Sequence, residues 1–327
     1  EPGLTVNDTS TLDEIHPCYT SHGKAYTFMH IASVKCVLFY IFLGLLSVVT
    51  VCGNVLVIIS VVYFKQLHVR TNYLILSLAV ADLLVGVLVF PFSMAFTVTS
   101  CWYQENSFCK IRIFLDVTLC TASILNLCCI SIDRYYAVCQ PLTYKSKIND
   151  RIIGIMILVS WGVAASVAIC IVYGENVDGK CEESCLTDAV ISTTLSCIFS
   201  FYLPVIVMLK IYMKIFFAAR KQAKKIQNAK PGATVSKMER KATKTLAIVM
   251  GVFLLCWTPY FLTIIFQPLI HNITSISVIE ALSWLALLNS MLNPFIYAFF
   301  YSWFRSAFRI IMSGKIFYSD YSNTKLL

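Results

Sequence analysis

The stretch CKIRIFLDVTLCTASILNLCCISIDRYYAV, residues 109–138, indicates the class of this protein, since most of it is apolar enough to lie in lipid. Between Ile113 and Ser131 the only charged residue is Asp116. An acid and a base, Asp133 and Arg134, then stand side by side near its end. A charge at the centre of a membrane span costs about 2.5–3.5 kcal/mol, so intramembrane acids are functional by default. The stretch predicts a membrane helix that carries a functional carboxylate.

The composition of the whole chain is also that of a membrane protein. The 327 residues are 58% hydrophobic and 13% charged, and the mean hydropathy is +0.75. A soluble domain carries about twice that charged fraction. The five histidines are scattered without metal-ligand spacing, so we expect no metal site built on them.

Uncharged or nearly uncharged runs long enough to cross a membrane recur along the chain. A helix needs about 20 residues to cross the hydrocarbon layer of a bilayer. Seven runs qualify: Cys36–Phe64, Tyr73–Phe96, Ile113–Ser131, Ile152–Val172, Ala189–Leu209, Leu246–Leu269 and Ala281–Phe304. The sequence therefore predicts an all-α membrane protein, a seven-transmembrane helix bundle.

The basic residues between the runs predict the orientation of the bundle. The segment from Lys214 to Lys244 holds ten basic residues and one acid, whereas Tyr173–Asp188 holds five acids and one lysine. Cytoplasmic loops carry the excess of Lys and Arg, so the N-terminus is predicted outside and the C-terminus inside. A basic loop beside a span favours anionic lipid and a cytosolic partner over nucleic acid.

The segments that flank the bundle complete a three-part organisation. Residues 1–34 are predicted to be an extracellular segment, with a glycosylation sequon at Asn7 and a second sequon later in the chain at Asn272. Residues 35–304 form the bundle. Within Ser302–Gly314, Phe304, Phe308 and Ile311 share one side, which predicts a short amphipathic eighth helix. That helix and a cytoplasmic tail make up residues 305–327.

Asp116 is predicted to bind a cation that comes from outside the bundle. It lies 18 residues before Arg134, so the two share a helix face about 27 Å apart. No Lys or Arg occurs at comparable depth in another span. A cationic amine is the simplest counterion for this carboxylate.

Short motifs, one or more in each span, resemble those of a known family. In order they are Asn54 in GNVLVI, Asp82 in LAVADLL, IDRYYAV, Trp161, Pro204 in FYLP, CWTPYF and NPFIY. Together they resemble the rhodopsin-like (class A) G-protein-coupled receptors over the whole chain. NSMLNPFIYAFFYSWFR resembles the seventh-span fingerprint of trace-amine-associated receptors, most of which serve olfaction.

The resemblance implies roles for named residues. The implied ligand site is Asp116, Val117, Cys120, Thr193, Ser196, Ser200, Trp257, Tyr260, Phe261, Glu280, Trp284 and Leu287. The implied sodium pocket is Asp82, Ser123, Asn289, Ser290 and Asn293, with a water-filled polar network as its alternative. The implied switch is Asp133, Arg134, Tyr212, Glu239 and Tyr297, and Pro204, Ile124 and Phe253 would connect it to the ligand site. The implied disulfides are Cys109–Cys185 and Cys18–Cys181, with the alternative pairing of the loop cysteines left open.

Two features bear on the ligand of such a receptor. Leu287 stands where receptors for primary amines often carry tyrosine, and the fifth span offers Ser196 and Ser200 but no acid. Glu280 lies at the outer end of the seventh span, and acidic residues also occur in the second outer loop. An acidic vestibule suits a di- or polyamine, although loop acids are more often simply solvated.

Other functions fit the sequence less well. A retinal-binding protein of this fold needs a lysine in the seventh span, and none is present. No inverted repeat indicates a transporter, and no nucleophile–base or metal constellation indicates an enzyme. We therefore predict a plasma-membrane receptor for trace or biogenic amines that raises cAMP through a stimulatory G protein and needs no cofactor apart from an allosteric sodium ion. The alternative is a serotonin- or histamine-type receptor.

Overall fold

The computed structural model describes residues 19–22, 25–28, 34–99, 106–174, 190–229, 237–266, 276–317, 321–324 and 326. Within these residues, seven helices are long and apolar enough to cross a membrane. They run over Val37–Tyr63, Arg70–Met94, Lys110–Cys139, Asp150–Val172, Thr194–Ala218, Ile248–Phe266 and Val278–Phe300. The predicted class of an all-α seven-transmembrane bundle is confirmed.

The described elements follow the chain in a simple order. Strands β1 (Tyr19–His22) and β2 (Ala25–Phe28) form an antiparallel pair ahead of the helices. The helices are α1 (Val34–Tyr63), α2 (Arg70–Leu84), α3 (Phe90–Thr99), α4 (Asn106–Cys139), α5 (Pro141–Lys147), α6 (Asp150–Gly174), α7 (Val190–Cys197), α8 (Leu203–Ala229), α9 (Lys237–Phe266), α10 (Ile276–Phe300) and α11 (Ser302–Met312). A π-helical turn joins α2 to α3 and another joins α7 to α8, so each of these pairs forms one span.

Helix α4 lies at the centre of the bundle and packs against α2, α6 and α8. The core that surrounds it contains Leu78, Ile124, Met208 and Phe253, each at most 1% exposed. Large apolar side chains also point outward, and Leu158, Leu255 and Phe299 are each 74% exposed. An apolar surface of this kind is unfavourable in water and suits a lipid environment.

Side chains from the sequence motifs join neighbouring helices by hydrogen bonds. Asn54 on α1 donates from Nδ2 to the carbonyl oxygen of Ser290 on α10 at 3.1 Å. Trp161 on α6 donates from Nε1 to Oγ of Ser77 on α2 at 3.1 Å. Buried polar side chains need such partners, so these residues fix how the helices pack.

The end of the seventh span differs from the prediction. The sequence predicted that this span continues to Phe304, but α10 ends at Phe300. Tyr301 is extended, with φ −101° and ψ 115°, and α11 begins at Ser302. Apolar residues continue through this break, so the hydropathy pattern does not reveal it. Arg305 stabilises the end of α10 by donating to the carbonyl oxygens of Ala298 and Phe299.

Helix α11 is the predicted amphipathic helix, and its end is set by Gly314. Phe304 is 3% exposed and packs toward the bundle, whereas Phe308 is 39% exposed. Gly314 has φ +67°, a left-handed conformation that ends helices and favours glycine.

A segment near the end of the chain packs against the turn that follows α1. Leu326 is 3% exposed and lies in one cluster with Phe64, Leu67 and Ala307. We call this cluster the tail seat. The backbone amide of Lys65 donates to the carbonyl oxygen of Ser322 at 3.0 Å. The backbone amide of Leu326 donates to Oε1 of Gln66 at 3.1 Å.

Candidate functional site

Asp116 lies on α4, and its side chain is only partly buried. Its Oδ1 accepts a hydrogen bond from Sγ of Cys120, one turn further along the helix, at 3.3 Å. A thiol is a weak donor, so this bond compensates little of the cost of a carboxylate in a membrane span. The phenol of Tyr260, on α9, interacts electrostatically with both Asp116 and Cys120. The structure therefore brings Asp116, Cys120 and Tyr260 together, as the sequence predicted.

A second charge near Asp116 was missed by the sequence analysis. Arg112, one turn earlier on α4, interacts electrostatically with Asp116. The prediction considered bases in other spans and not the residue four positions earlier on the same helix. The i, i+4 spacing of a helix was the signal that could have found it.

Aromatic rings from α9 and the π-helical turn Ile198–Tyr202 form a wall in the same half of the bundle. The rings of Phe201 and Phe261 stack with centroids 4.2 Å apart and an interplanar angle of 8°. Phe261 also contacts Trp257 at 5.8 Å and Tyr260 at 5.6 Å. Phe201 was not among the predicted ligand residues. Its contact with Phe261 depends on the irregular turn, which sequence periodicity does not reveal.

Trp284 stands apart from this stack in the network of ring contacts. Its ring contacts Phe90, at the start of α3, with centroids 5.4 Å apart. Leu287, one turn further along α10, is 3% exposed. Glu280 is partly buried and lies one turn before Trp284. The predicted aromatic residues therefore make two contact groups, one around Phe261 and one between Trp284 and Phe90.

One of the predicted polar residues of the fifth span already forms a hydrogen bond within that span. Ser200 is 6% exposed, and its hydroxyl donates to the carbonyl oxygen of Ser196 at 2.5 Å. The side chain of Ser196 is half-buried, as is that of Val117 on α4. The side chain of Thr193 lies outside the described residues. The hydroxyl of Ser200 therefore satisfies a backbone group and is not pre-set to donate to a ligand.

Below Asp116, the predicted sodium-pocket residues converge on Asp82, which is fully buried. Its Oδ1 accepts from Oγ of Ser123 at 2.8 Å and its Oδ2 accepts from Nδ2 of Asn293 at 2.7 Å. The hydroxyl of Ser290 also bonds to this carboxylate. Asn289 is 1% exposed, and its Nδ2 finds no acceptor among the described residues. A carboxylate and two hydroxyls form an oxygen-rich set that fits a hard cation such as sodium.

At the other end of α4, Asp133 is fully buried and binds Arg134. Its Oδ2 accepts from Nε of Arg134 at 2.9 Å and from Oγ1 of Thr71 at 2.8 Å. Its Oδ1 accepts from the hydroxyl of Tyr144, on α5, at 2.8 Å. Arg134 also donates to Oγ1 of Thr71. Neither Thr71, in the first turn of α2, nor Tyr144, on α5, was predicted, because their contacts with Asp133 follow from helix packing and not from a motif.

The other predicted switch residues surround this pair. Tyr212 accepts a hydrogen bond from Oγ of Ser131 at 3.2 Å. Tyr297 is 5% exposed and interacts electrostatically with Asp82 and Tyr301. The side chain of Glu239 lies outside the described residues, so its predicted contact with Arg134 stays a prediction. Of the three predicted connectors, Ile124 and Phe253 are each 1% exposed in the core between Asp116 and Arg134, and Pro204 is buried as well.

Several further predictions fall outside the described residues. They are the glycosylation sequons at Asn7 and Asn272, the acidic second outer loop, and both disulfides, since Cys18, Cys181 and Cys185 are not described and only the backbone of Cys109 is. Among the described residues, no group of three or more His, Cys, Asp or Glu side chains could hold a metal ion.

The geometry agrees with comparisons against known proteins. The family model described as "7 transmembrane receptor (rhodopsin family)" matches residues 53–297. Trace amine-associated receptor 1 of Macaca mulatta is 44% identical over 308 residues, which cover 88% of this chain and 91% of that protein. Trace amine-associated receptor 4 of Mus musculus is 44% identical and covers 90% of each chain. Trace amine-associated receptor 9 of Homo sapiens is 40% identical and covers 98% of this chain and 97% of its own length.

The similar proteins are receptors and not enzymes. The chain is a multi-pass membrane protein, which agrees with its seven apolar helices. It belongs to the rhodopsin family of seven-transmembrane receptors and, within that family, to the trace amine-associated receptors.

Proposed function

We propose that this receptor binds a cationic amine through Asp116 and activates a G protein at the Arg134 end of the bundle. The observation that carries the proposal is Asp116 itself, an intramembrane carboxylate that accepts a hydrogen bond from the weak thiol donor of Cys120. An ammonium group would add a charge-assisted hydrogen bond, which is stronger than the bond from a neutral thiol. The phenol of Tyr260 interacts electrostatically with Asp116, and a tyrosine ring beside a bound cation would add a cation–π attraction of about 0.5–2 kcal/mol.

The signal would pass along α4 and α9 to the opposite end of the bundle. Pro259 lies inside α9 and cannot donate a backbone hydrogen bond, which allows the helix to bend there. The buried Ile124 and Phe253 connect the two ends. Arg134 is held by Asp133 in the described state, and its release on outward movement of α9 would be the switch that the ligand biases.

The G protein would bind beside the Arg134 end, on the cytoplasmic side. Leu142, on the short helix α5, is 98% exposed. This helix also carries Lys145 and Lys147 in its last turn. An exposed leucine gains free energy when a partner's apolar surface buries it. A stimulatory G protein, a rise in cAMP and a role in olfaction follow from the subfamily resemblance alone.

The same proposal places the receptor in the plasma membrane, with lipids around the bundle and the N-terminus outside. Its supports are the apolar outward faces of the helices and the basic segments between them. A sodium ion, when bound, would be held by Asp82, Ser123 and Ser290 and would neutralise the buried carboxylate at the bundle centre.

Di- or polyamines are the second candidate ligands. Glu280 lies about two turns before Leu287 on α10, near the Asp116 end. A carboxylate there would attract a second ammonium group of a ligand that is anchored at Asp116.

The test is cAMP accumulation in cells that express the wild-type receptor, Asp116→Ala, Asp116→Asn or Glu280→Gln, titrated with matched mono-, di- and polyamines. We expect both Asp116 variants to lose the response to every amine while cell-surface labelling and basal cAMP stay unchanged. Loss of only the diamine response in Glu280→Gln would support the second candidate. A surface-expressed Asp116→Ala variant that still responds with wild-type potency would overturn the proposal. Asp150→Ala, which changes a carboxylate that is 79% exposed, is the matched control.

A further inference from the structure

The face of α4 that carries Asp116 also carries a cation. Arg112, Asp116 and Cys120 follow one another at intervals of four residues, so their side chains lie one above the other on the same side of the helix. The hydrogen bond between Cys120 and Asp116 shows that these two side chains point along the same line. Arg112 and Asp116 are partly accessible, whereas Cys120 is 9% exposed. The face is therefore deepest at Cys120 and more open at Arg112.

The two charges on this face interact with each other and with the helix opposite. Arg112 interacts electrostatically with Asp116, and both interact with the phenol of Tyr260 on α9. The phenol of Tyr260, on α9, is thus near one negative and one positive side chain of α4. The backbone rises by about 6 Å between them, which is one helical turn.

An arrangement of this kind would discriminate between amines by charge. A monoamine bound at Asp116 would bring a second positive charge close to Arg112. A diamine that extends toward Arg112 would add a third positive charge. An amine that also carries a carboxylate would place an opposite charge next to each side chain, and the guanidinium matches a carboxylate with two parallel N–H donors.

We propose that Arg112 is a second ligand-binding residue of the Asp116 site and that the receptor prefers zwitterionic amines, in which an ammonium and a carboxylate are separated by about one helical turn. This inference rests on the proposed function, since it takes Asp116 as the ammonium anchor. Arg112 would bind the carboxylate of the ligand. Glu280, on α10, would then contribute less than Arg112 to ligand choice.

The alternative is that Arg112 only stabilises α4. An i, i+4 pair of opposite charges on a helix favours the helix whether or not a ligand binds. A purely structural role predicts an equal loss of response to all ligands, or no loss. A binding role predicts a loss that depends on whether the ligand carries a carboxylate.

The experiment uses three ligands of equal chain length: an alkyl monoamine, the corresponding ω-amino acid and the corresponding α,ω-diamine, each with three to six carbons. In the wild-type receptor we expect the amino acid of the best-fitting length to be more potent than the diamine. In Arg112→Gln, amino-acid potency should fall by about 10-fold or more, the loss expected when a hydrogen bond to a charged group is removed. The monoamine should change by less than about threefold. Arg112→Glu should reverse the preference in favour of the diamine.

The controls separate this inference from the proposed function. If Asp116→Asn removes every response but Arg112→Gln changes all three ligands by the same factor, the inference fails and the amine anchor stands. If surface-expressed Asp116→Asn keeps the monoamine response, the proposed function fails first. Should the Arg112 variants not reach the surface, the wild-type series decides alone, because a diamine more potent than the amino acid at every length overturns the inference. Arg112→Lys, which keeps the charge but loses the planar fork, should recover part of the amino-acid response.

Discussion

Replacing Tyr144 by phenylalanine removes one hydroxyl and leaves the ring in place. That hydroxyl donates to Oδ1 of Asp133 at 2.8 Å, whereas Oδ2 is shared by Thr71 and Arg134. Among the described residues, Tyr144 is the only hydrogen-bond donor to Oδ1. Because Asp133 is fully buried, water cannot easily take the place of the lost hydroxyl.

The structure gives a magnitude for this change. A hydrogen bond to a charged group contributes about 1.5–3 kcal/mol, and a buried acceptor left without its donor costs a similar amount. We therefore expect Tyr144→Phe to lower the free energy of unfolding by about 1.5–3 kcal/mol. At about 2–4 °C per kcal/mol, the melting temperature should fall by about 3–12 °C.

The assay is thermal unfolding of the purified receptor, followed with a thiol-reactive fluorophore. Cys120, Cys128 and Cys256 are free and buried, so they become reactive only as the bundle opens. The matched control is Tyr136→Phe, which removes a tyrosine hydroxyl from the same region. The rings of Tyr136 and Tyr144 pack against the same small apolar cluster, which contains Leu74, Ile148 and Ile153. Melting temperatures of wild type and Tyr144→Phe within about 1 °C of each other would refute the reasoning.

Three further outcomes are expected. Burial raises the pKa of Tyr144 above its ordinary value of 10.0. The contribution of the neutral hydroxyl to the free energy of unfolding is therefore complete below that value and is lost as the pH rises through the raised pKa. The difference in melting temperature between wild type and Tyr144→Phe should shrink from about pH 7 to about pH 11. Leu142→Asp should reduce agonist-stimulated nucleotide exchange on the G protein by about 10-fold or more. The agonist affinity of the receptor, measured in the absence of G protein, should stay unchanged. An unaltered exchange rate would contradict the docking role of Leu142. Asp82→Asn should remove the sodium dependence of agonist affinity, which radioligand competition with and without sodium chloride measures, and a retained dependence would mean that sodium acts elsewhere.

The number and order of the spans were predictable from sequence, because a bilayer imposes a length and an apolar composition on each helix. The exact helix ends were not. α10 stops at Phe300, although the apolar run continues through Phe304. Hydropathy records where lipid lies, and it does not record where the backbone turns along the membrane surface.

The candidate site was predictable where a residue has an unusually high free-energy cost in its surroundings. Asp116 and Asp82 stand out because a carboxylate in lipid is expensive. Thr71 and Tyr144 lie in polar segments where their residue types are ordinary, so only the packing of α2 and α5 against α4 brings them to Asp133. Arg112 lies one residue outside the uncharged run Ile113–Ser131, where a charged side chain is not unusual.

The tail seat has a consequence for how this receptor is observed in cells. A reporter domain inserted before Tyr321 would pull Leu326 away from Phe64 and Leu67 and leave their apolar surface open to water. Exposing a buried leucine costs about 1.5–3 kcal/mol. The backbone bond from Lys65 to Ser322 would be lost as well. Differences in surface expression between tagged and untagged receptors would then reflect the undocked tail and not the ligand site.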